Sequence, residues 1–213
     1  MGELRVILGR NAEILEPAVA CDPPWYYRNK MECAFGFDRD GVALGLRQKG
    51  RFYGVVTLEE CFLMSEAVAP ILAAARGWAT DEQLAPYHLR RHEGLLRYVV
   101  IREGKRTGQR LVNLVTAAPT DEPALVAALD GLAARLAPLG VTSLLWSVND
   151  RQADVAVGEI RRTVLGEPWF EETLSGCAFR LSPYAFFQPN VAMAERLAER
   201  ARGLLGTGWP VLL

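Results

Sequence analysis

The sequence has no apolar run approaching the roughly 18 residues that a membrane-spanning helix requires. Its first ten residues carry charges at Glu3, Arg5 and Arg10, where a secretory signal would place its apolar core. It also lacks an excess of either charge: 24 Lys and Arg stand against 25 Asp and Glu, a formal net charge of -1. No global field therefore draws it to phosphate, and any nucleic-acid contact must come from local basic patches. Cysteine is scarce. The four, Cys21, Cys33, Cys61 and Cys177, include no close CxxC pair, which argues against a zinc site, and a chain this long needs no disulfide framework. Neither a P-loop nor a GxGxxG segment occurs, so these residues offer no NTP or dinucleotide cradle. The two histidines, His88 and His92, lie four apart without the glutamate of a zinc-protease helix or a third ligand, and read as solvent-facing. These absences predict a cytoplasmic protein without a membrane partner.

What is present is ordinary globular material: 50% hydrophobic and 23% charged residues over 213 positions, enough for one sizeable core or two small ones. Residues 1–24 show little alternation and end in Asp22-Pro23-Pro24, a turn signal, so they read as a leader or the remnant of something upstream. Three short apolar segments follow, Met31 to Phe37, Val42 to Arg47 and Phe52 to Thr57. They are separated by Asp38-Arg39-Asp40-Gly41 and Lys49-Gly50, both hairpin chemistries, and predict an antiparallel meander. Val68, Ile71, Leu72 and Ala75 share one face of a helix over Glu66 to Arg76, with Gly77 as its stop. Leu95 to Arg102 and Arg110 to Ala117, rich in β-branched residues, flank a polar segment and predict a second hairpin.

Asp121 to Ala137 aligns Leu125, Leu129, Leu132 and Leu136 behind an acidic first turn, a helix ended by Pro138. Ser143 to Val148, Val155 to Val157 and Cys177 to Leu181 are strand candidates, and Val191 to Leu205 is a helix with Asn190 as N-cap. The fold class is α+β, an antiparallel sheet with helices packed on one face. Val211-Leu212-Leu213 resembles the opening of a buried strand, which suggests that sequence continues beyond it; a frayed tail is the alternative.

Six segments carry more, most specifically Tyr27-Arg28-Asn29-Lys30 and Phe186-Phe187-Gln188-Pro189-Asn190. Tyr27-Arg28-Asn29-Lys30-Met31-Glu32 precedes Ala34-Phe35-Gly36, Gly45-Leu46-Arg47 and Leu58-Glu59-Glu60-Cys61; further on come Gly94-Leu95-Leu96-Arg97 and Ser182-Pro183-Tyr184-Ala185-Phe186-Phe187-Gln188-Pro189-Asn190. In this order they resemble the central domain of bacterial 23S rRNA and tRNA (uracil-5-)-methyltransferases. The resemblance covers about residues 24 to 213, and Cys61 favours the 23S rRNA branch.

The resemblance implies a central α+β domain over 25–182, and over 183–213 the first helix of a truncated Rossmann-like domain that uses S-adenosyl-L-methionine. Gln188 matches a glutamine that contacts this cofactor; the alternative is that Gln188 and Asn190 merely turn the chain and cap the helix. Cys61 matches the last ligand of a 4Fe-4S cluster, but the other three ligands, expected upstream of Tyr27, are absent, so it is an orphan ligand or a buried thiol. The implied chemistry is attack of a cysteine thiolate on uracil C6, methyl transfer to C5, and removal of the C5 proton by a carboxylate. None of the four cysteines matches that nucleophile, so the chain is expected to be a fragment, inactive alone and monomeric, with RNA, 23S rRNA foremost, as its partner. Arg28, Lys30, Arg47, Lys49 and Arg51 are candidate phosphate contacts and Phe52 and Tyr53 candidate base contacts; ordinary turn charges and sheet aromatics are the alternative. The rival reading is a free-standing, non-catalytic RNA-binding protein.

Overall fold

The computed structural model describes residues 17–39, 41–51 and 54–205. Phe52, Tyr53 and the expected terminal strand at 211–213 lie outside them. Nine strands and three α-helices are described: β1 (Lys30–Asp38), β2 (Gly41–Arg47), β3 (Val55–Thr57), α1 (Val68–Asp81), β4 (Leu96–Glu103), β5 (Arg110–Thr116), α2 (Glu122–Leu136), β6 (Ser143–Val148), β7 (Glu159–Leu165), β8 (Phe170–Leu174), β9 (Cys177–Leu181) and α3 (Val191–Leu205). A seven-stranded sheet has the order β3-β2-β1-β4-β5-β6-β7, and β8 and β9 form a separate hairpin.

The expected meander is there, with Ala34 opposite Gly45 and Gly45 opposite Thr57. The sheet is not purely antiparallel, however. β5 and β6 run parallel, with Leu111 opposite Ser143 and Thr116 opposite Val148. The reason lies in the connection: two parallel neighbours need a crossover of a dozen or more residues, and α2 supplies it. The Asp121 side chain accepts from Ala124 N at 2.9 Å, so the acidic start of α2 is an N-cap as well as a favourable charge for the dipole.

Two other expectations fail for identifiable reasons. α1 runs through Gly77 to Asp81, because Trp78 and Ala79 are fully buried and the Trp78 indole donates to Ala128 O at 2.9 Å across to α2. The stop is made instead at Gln83, φ 54°, with Leu84 N bonded to Ala79 O at 2.9 Å. Val155 to Val157 is not a strand. The last strand of the sheet is β7, an edge strand whose residues are mostly exposed, so that no alternation marks it in the sequence.

Both faces of the sheet are covered, not one. On the first, Met31, Cys33, Phe35, Leu44, Val99, Ile101, Leu114 and Trp146 pack under α1 and α2. On the second, Ala34, Ala43, Tyr98, Val100 and Val115 meet Ala156 from the β6–β7 loop, while Leu111 and Leu145 meet Phe170 and Leu181 of the β8–β9 hairpin. Because strand side chains alternate, this second face carries the odd polar positions of the inner strands as well, and these position the candidate site. Among the described residues no helix is long and apolar enough to cross a membrane.

Candidate functional site

The segment at Tyr27–Lys30 and the segment at Ser182–Asn190 meet. Asn29, fully buried, donates from Nδ2 to Gln188 O at 2.8 Å, and its backbone N–H donates to Pro189 O at 2.9 Å. Arg28 and Asn190 form an isolated antiparallel bridge, and Glu103 N donates to Asn29 O at 2.9 Å, tying the junction to the end of β4. Asn190 then caps α3, its Oδ1 accepting from Met193 N at 3.0 Å, while its Nδ2 reaches Cys21 Sγ at 3.1 Å.

Arg102 anchors the other end of the second segment. Its side chain lies on the second face of the sheet, fully buried, and Nη1 donates to Pro183 O and Ala185 O, each at 2.9 Å, with the guanidinium 5.3 Å from the Phe170 ring centroid. Burial lowers the Arg102 pKa to about 10, opposed by the nearby Glu32 carboxylate. Tyr184 is fixed further along: its hydroxyl accepts from Asn113 Nδ2 at 2.8 Å and from Gly158 N at 3.0 Å, and Asn113 Oδ1 accepts from Ser147 Oγ at 2.9 Å. The backbone from Pro183 to Asn190 is thus pinned at four points.

Between those points Gln188 is exposed, and its side-chain amide makes no hydrogen bond among the described residues. Phe186 is 85% exposed. A segment held by its carbonyls while its side chains face solvent is built to present those side chains. The Gln188 amide, which can donate and accept, suits the carboxylate, amine and ribose groups of S-adenosyl-L-methionine.

The β4–β5 turn closes the site. The Glu172 carboxylate, fully buried, accepts from Lys105 N at 2.6 Å, Arg106 N at 3.0 Å and Thr173 N at 2.8 Å. Lys105 Nζ pairs with Glu103 at 2.6 Å and Arg106 with Glu195 of α3 at 2.5 Å. Glu103 also accepts from Arg110 Nε at 3.2 Å and from the Ser65 hydroxyl. Burial alone would push the Glu103 carboxyl up; bonds from Lys105 and Ser65, the Lys105 charge and the Arg110 bond outweigh it and hold it below its ordinary 4.5. A carboxyl depressed in the folded state contributes stability that is complete above the ordinary value and lost as pH falls through the folded one. Thermal melting followed from neutral to acid pH should show Glu103→Gln less stable than the parent at neutral pH, with the gap closing below about pH 4.

The proposed phosphate contacts are dispersed. Arg28, Lys49 and Arg51 are exposed. Lys30 is paired with Glu32 at 2.6 Å. Arg47 turns inward, bonded to Asp154 at 2.8 Å beside the Tyr98 ring, so it braces the β6–β7 loop and is not a free cation. The Tyr98 hydroxyl donates to the same carboxylate; burial, then that bond, pushes its pKa up to about 12. The histidines are turn-formers: His88 Nδ1 accepts from Arg90 N and Arg91 N at 3.3 and 3.2 Å, and His92 Nδ1 lies 3.1 Å from the Tyr87 hydroxyl. His88 is half-buried, and only His92 faces solvent.

Cys61 does not fit an iron–sulfur cluster in this chain. Among the described residues, which include all four cysteines, no three metal-ligating side chains come together. Its Sγ accepts from Met64 N at 3.3 Å, and it packs beside the core near Cys33, whose thiol burial and Cys61 push up to about 12.

Arg97 belongs to the Gly94-Leu95-Leu96-Arg97 segment, but sequence reasoning gave it no role. Fully wrapped, it donates to Asn149 O and Arg151 O at 2.6 Å and to Ala153 O at 2.7 Å, and lies 4.5 Å from the Tyr87 ring centroid. Gly94, φ 99°, lets Pro86 pass so close that a Cβ would sit 2.2 Å from its carbonyl oxygen, and this approach brings Tyr87 over Arg97. An arginine inside an apolar strand was the available signal.

No family model matches the chain. It is, however, similar to known proteins: it is 35% identical over 185 residues to an RNA methyltransferase of Caldanaerobacter subterraneus subsp. tengcongensis, covering 84% of this chain and 40% of that protein. More narrowly, it is 31% identical over 198 residues to the tRNA (uracil(54)-C(5))-methyltransferase of Pyrococcus furiosus, covering 92% of this chain and 43% of the relative. The crystal structure of the Pyrococcus abyssi tRNA (uracil-54, C5)-methyltransferase in complex with S-adenosyl-L-homocysteine superposes with a TM-score of 0.76 at 27% identity, over 97% of this chain and 46% of that one. The two Pyrococcus proteins are named as tRNA uracil-54 C5-methyltransferases and the first relative as an RNA methyltransferase, and the chain spans less than half the length of each.

Proposed function

We propose that the chain is the RNA-holding, cofactor-positioning portion of an S-adenosyl-L-methionine-dependent RNA (uracil-5-)-methyltransferase. The observation that carries this reading is the clamp of Asn29 onto Gln188 and Pro189, which joins the two most specific resemblance-bearing segments into one site. Gln188 holds the cofactor's polar groups, the sheet domain over 25–182 holds RNA, and α3 opens the Rossmann-like unit at 183–213. Uracil C5 becomes nucleophilic only once C6 is saturated, so the reaction needs a thiolate and a proton-abstracting carboxylate. The cysteine at this site, Cys21, has its Sγ bonded to Asn190 Nδ2 at 3.1 Å, Cys33 is buried with its pKa pushed up to about 12, and Cys61 packs against the core. The carboxylates of Glu103, Glu172 and Glu195 are each taken up by hydrogen bonds. On this reading the chain by itself binds and positions without methylating, and it is proposed to do so as a monomer in the cytoplasm.

A uridine of tRNA is the first target to test, because the relatives whose names state a target modify uridine 54 of tRNA. The second is 23S rRNA, the branch that Cys61 suggests. Filter binding of the chain to unmodified tRNA and to 23S rRNA transcripts, over a salt series, together with transfer of labelled methyl, tests the reading. Expected are salt-dependent RNA binding, preference for tRNA, and no label at uridine C5. Methylation by this chain alone would refute its inactivity, and an absence of RNA binding would refute the role itself.

A further inference from the structure

Three exposed aromatic residues cluster beside the junction just described. Trp25 is 56% and Phe62 54% exposed, their rings edge-to-face with centroids 6.0 Å apart, and Tyr26 lies 6.3 Å from Phe62. Large aromatic side chains usually contribute to a core, so a group of them in water on one surface points to a ligand. This group is rigid. Tyr26 N donates to Phe62 O and Arg28 N to Leu63 O, both at 2.8 Å, zipping the two segments together. Tyr26 also takes φ 56°, a left-handed conformation that a bulky residue adopts at a cost of about 1 kcal/mol or more. The fold accepts that conformation and leaves the rings outside.

Beside the rings lies a cavity of about 170 Å³ lined by Cys21, Trp25, Tyr26, Tyr27, Lys105 and Arg106, together with Asp22 and the start of α3. The cavity is open to solvent on one side, so a planar base can enter it beside the rings. Two of its charged residues are basic and one acidic. Lys105 and Arg106 are each paired with one carboxylate, yet the Arg106 side chain remains 51% exposed and keeps donors for a second acceptor. Arg28, exposed and without an ion pair among the described residues, is bridged to Asn190 on the same rim. Aromatic faces with guanidinium groups at their edge match the chemistry of an unpaired nucleotide: stacking for the base, positive charge for its phosphate.

We propose that Trp25, Phe62 and the adjoining cavity form a stacking subsite for one unpaired nucleotide of the RNA, with Arg28 and Arg106 supplying charge for its phosphate. The inference rests on the RNA-binding role proposed above and adds where a base is held. The site adjoins the Gln188 segment, so a nucleotide stacked there flanks the place where the cofactor is received.

Fluorescence anisotropy of a labelled, unmodified tRNA transcript titrated with the 213-residue chain tests it. Trp25→Ala and Phe62→Ala should each weaken binding about fivefold or more, the low end for loss of one base stack. Trp25→Phe should stay within about twofold of the parent, and thermal melting of all three variants should be unchanged, since these rings are not in the core. If the parent binds tRNA with a steep salt dependence and both alanine variants bind equally well, the subsite is overturned and the RNA-binding role stands. If the parent binds no RNA, both fall. Light scattering covers the remaining occupant: a parental dimer that Trp25→Ala converts to monomer would overturn the subsite in favour of self-association.

Discussion

Replacing Arg97 by alanine is expected to lower the stability of the fold by about 3 to 5 kcal/mol, the sum of three charge-assisted hydrogen bonds less what the freed loop regains from water. The guanidinium holds the carbonyls of Asn149, Arg151 and Ala153 at 2.6 to 2.7 Å, and Asn149 in turn donates from Nδ2 to Val155 O at 2.7 Å. Nothing else in the β6–β7 loop replaces those contacts. The stacking of Arg97 on Tyr87 adds to the loss, while its buried Nε, which lacks a partner, reduces it. Lysine is no substitute, because one ammonium cannot serve three carbonyls spread around a planar fork. Urea unfolding gives the magnitude, and amide exchange gives the place, with faster exchange through 150–157 as the local signature. A loss under about 1 kcal/mol would show that the loop is held by its apolar contact at Ala156 and not by Arg97.

The same loop shows why part of this fold was legible in the sequence and part was not. β1, β2, β4, β5 and β6 announce themselves because both of their faces, or alternate residues, are apolar, and α2 because leucines repeat along one stripe behind Asp121. β7 does not, since an exposed edge strand has no buried side to print a pattern. Val155 and Val157 carry strand propensity but lie in a loop, because Arg97 and Asn149 bond to carbonyls that a ladder would have used. Gly77 reads as a stop, yet tertiary burial of Trp78 carries α1 past it.

The candidate site divides in the same way. Both of its segments could be picked out, and Asn190 could be read as a cap, from local chemistry alone. Their meeting could not, because Asn29 and Gln188 lie 159 positions apart and neither residue type specifies a partner at that distance. The partner of Arg47 was hidden for the same reason. It is Asp154, 107 positions away, and an arginine at a strand end looks free until that carboxylate is placed beside it. The aromatic pair was likewise invisible: Trp25 directly follows the Asp22-Pro23-Pro24 turn that ends the expected leader, and Phe62 directly follows the cysteine that drew attention to itself.

Asn29→Asp, a change of one atom and one charge, should be the most damaging substitution within the clamp. Asn29 is fully buried, and the atom replaced is the Nδ2 that donates to Gln188 O at 2.8 Å. An ionised carboxylate there would face a carbonyl oxygen with no donor between them, inside a region that disfavours charge. A protonated one could restore the bond. The folded-state pKa of the new carboxyl is therefore raised above the unfolded value near 4, so its penalty is small at acid pH and grows by about 1.4 kcal/mol for each pH unit above that value. The growth ends where burial lets the acid keep its proton or the segment detaches, giving a loss of about 3 to 4 kcal/mol at neutral pH. Asn29→Ala, which only deletes the bond, should lose about 1 to 2 kcal/mol at any pH. The ordering is the test: stability curves that cross between pH 4 and 7, with aspartate worse than alanine at the upper end, mean that the amide donor is what joins the two segments. Equal losses at neutral pH would assign the join to the backbone bond from Asn29 to Pro189 instead, and the Gln188 amide would then be oriented without help from the Asn29 side chain.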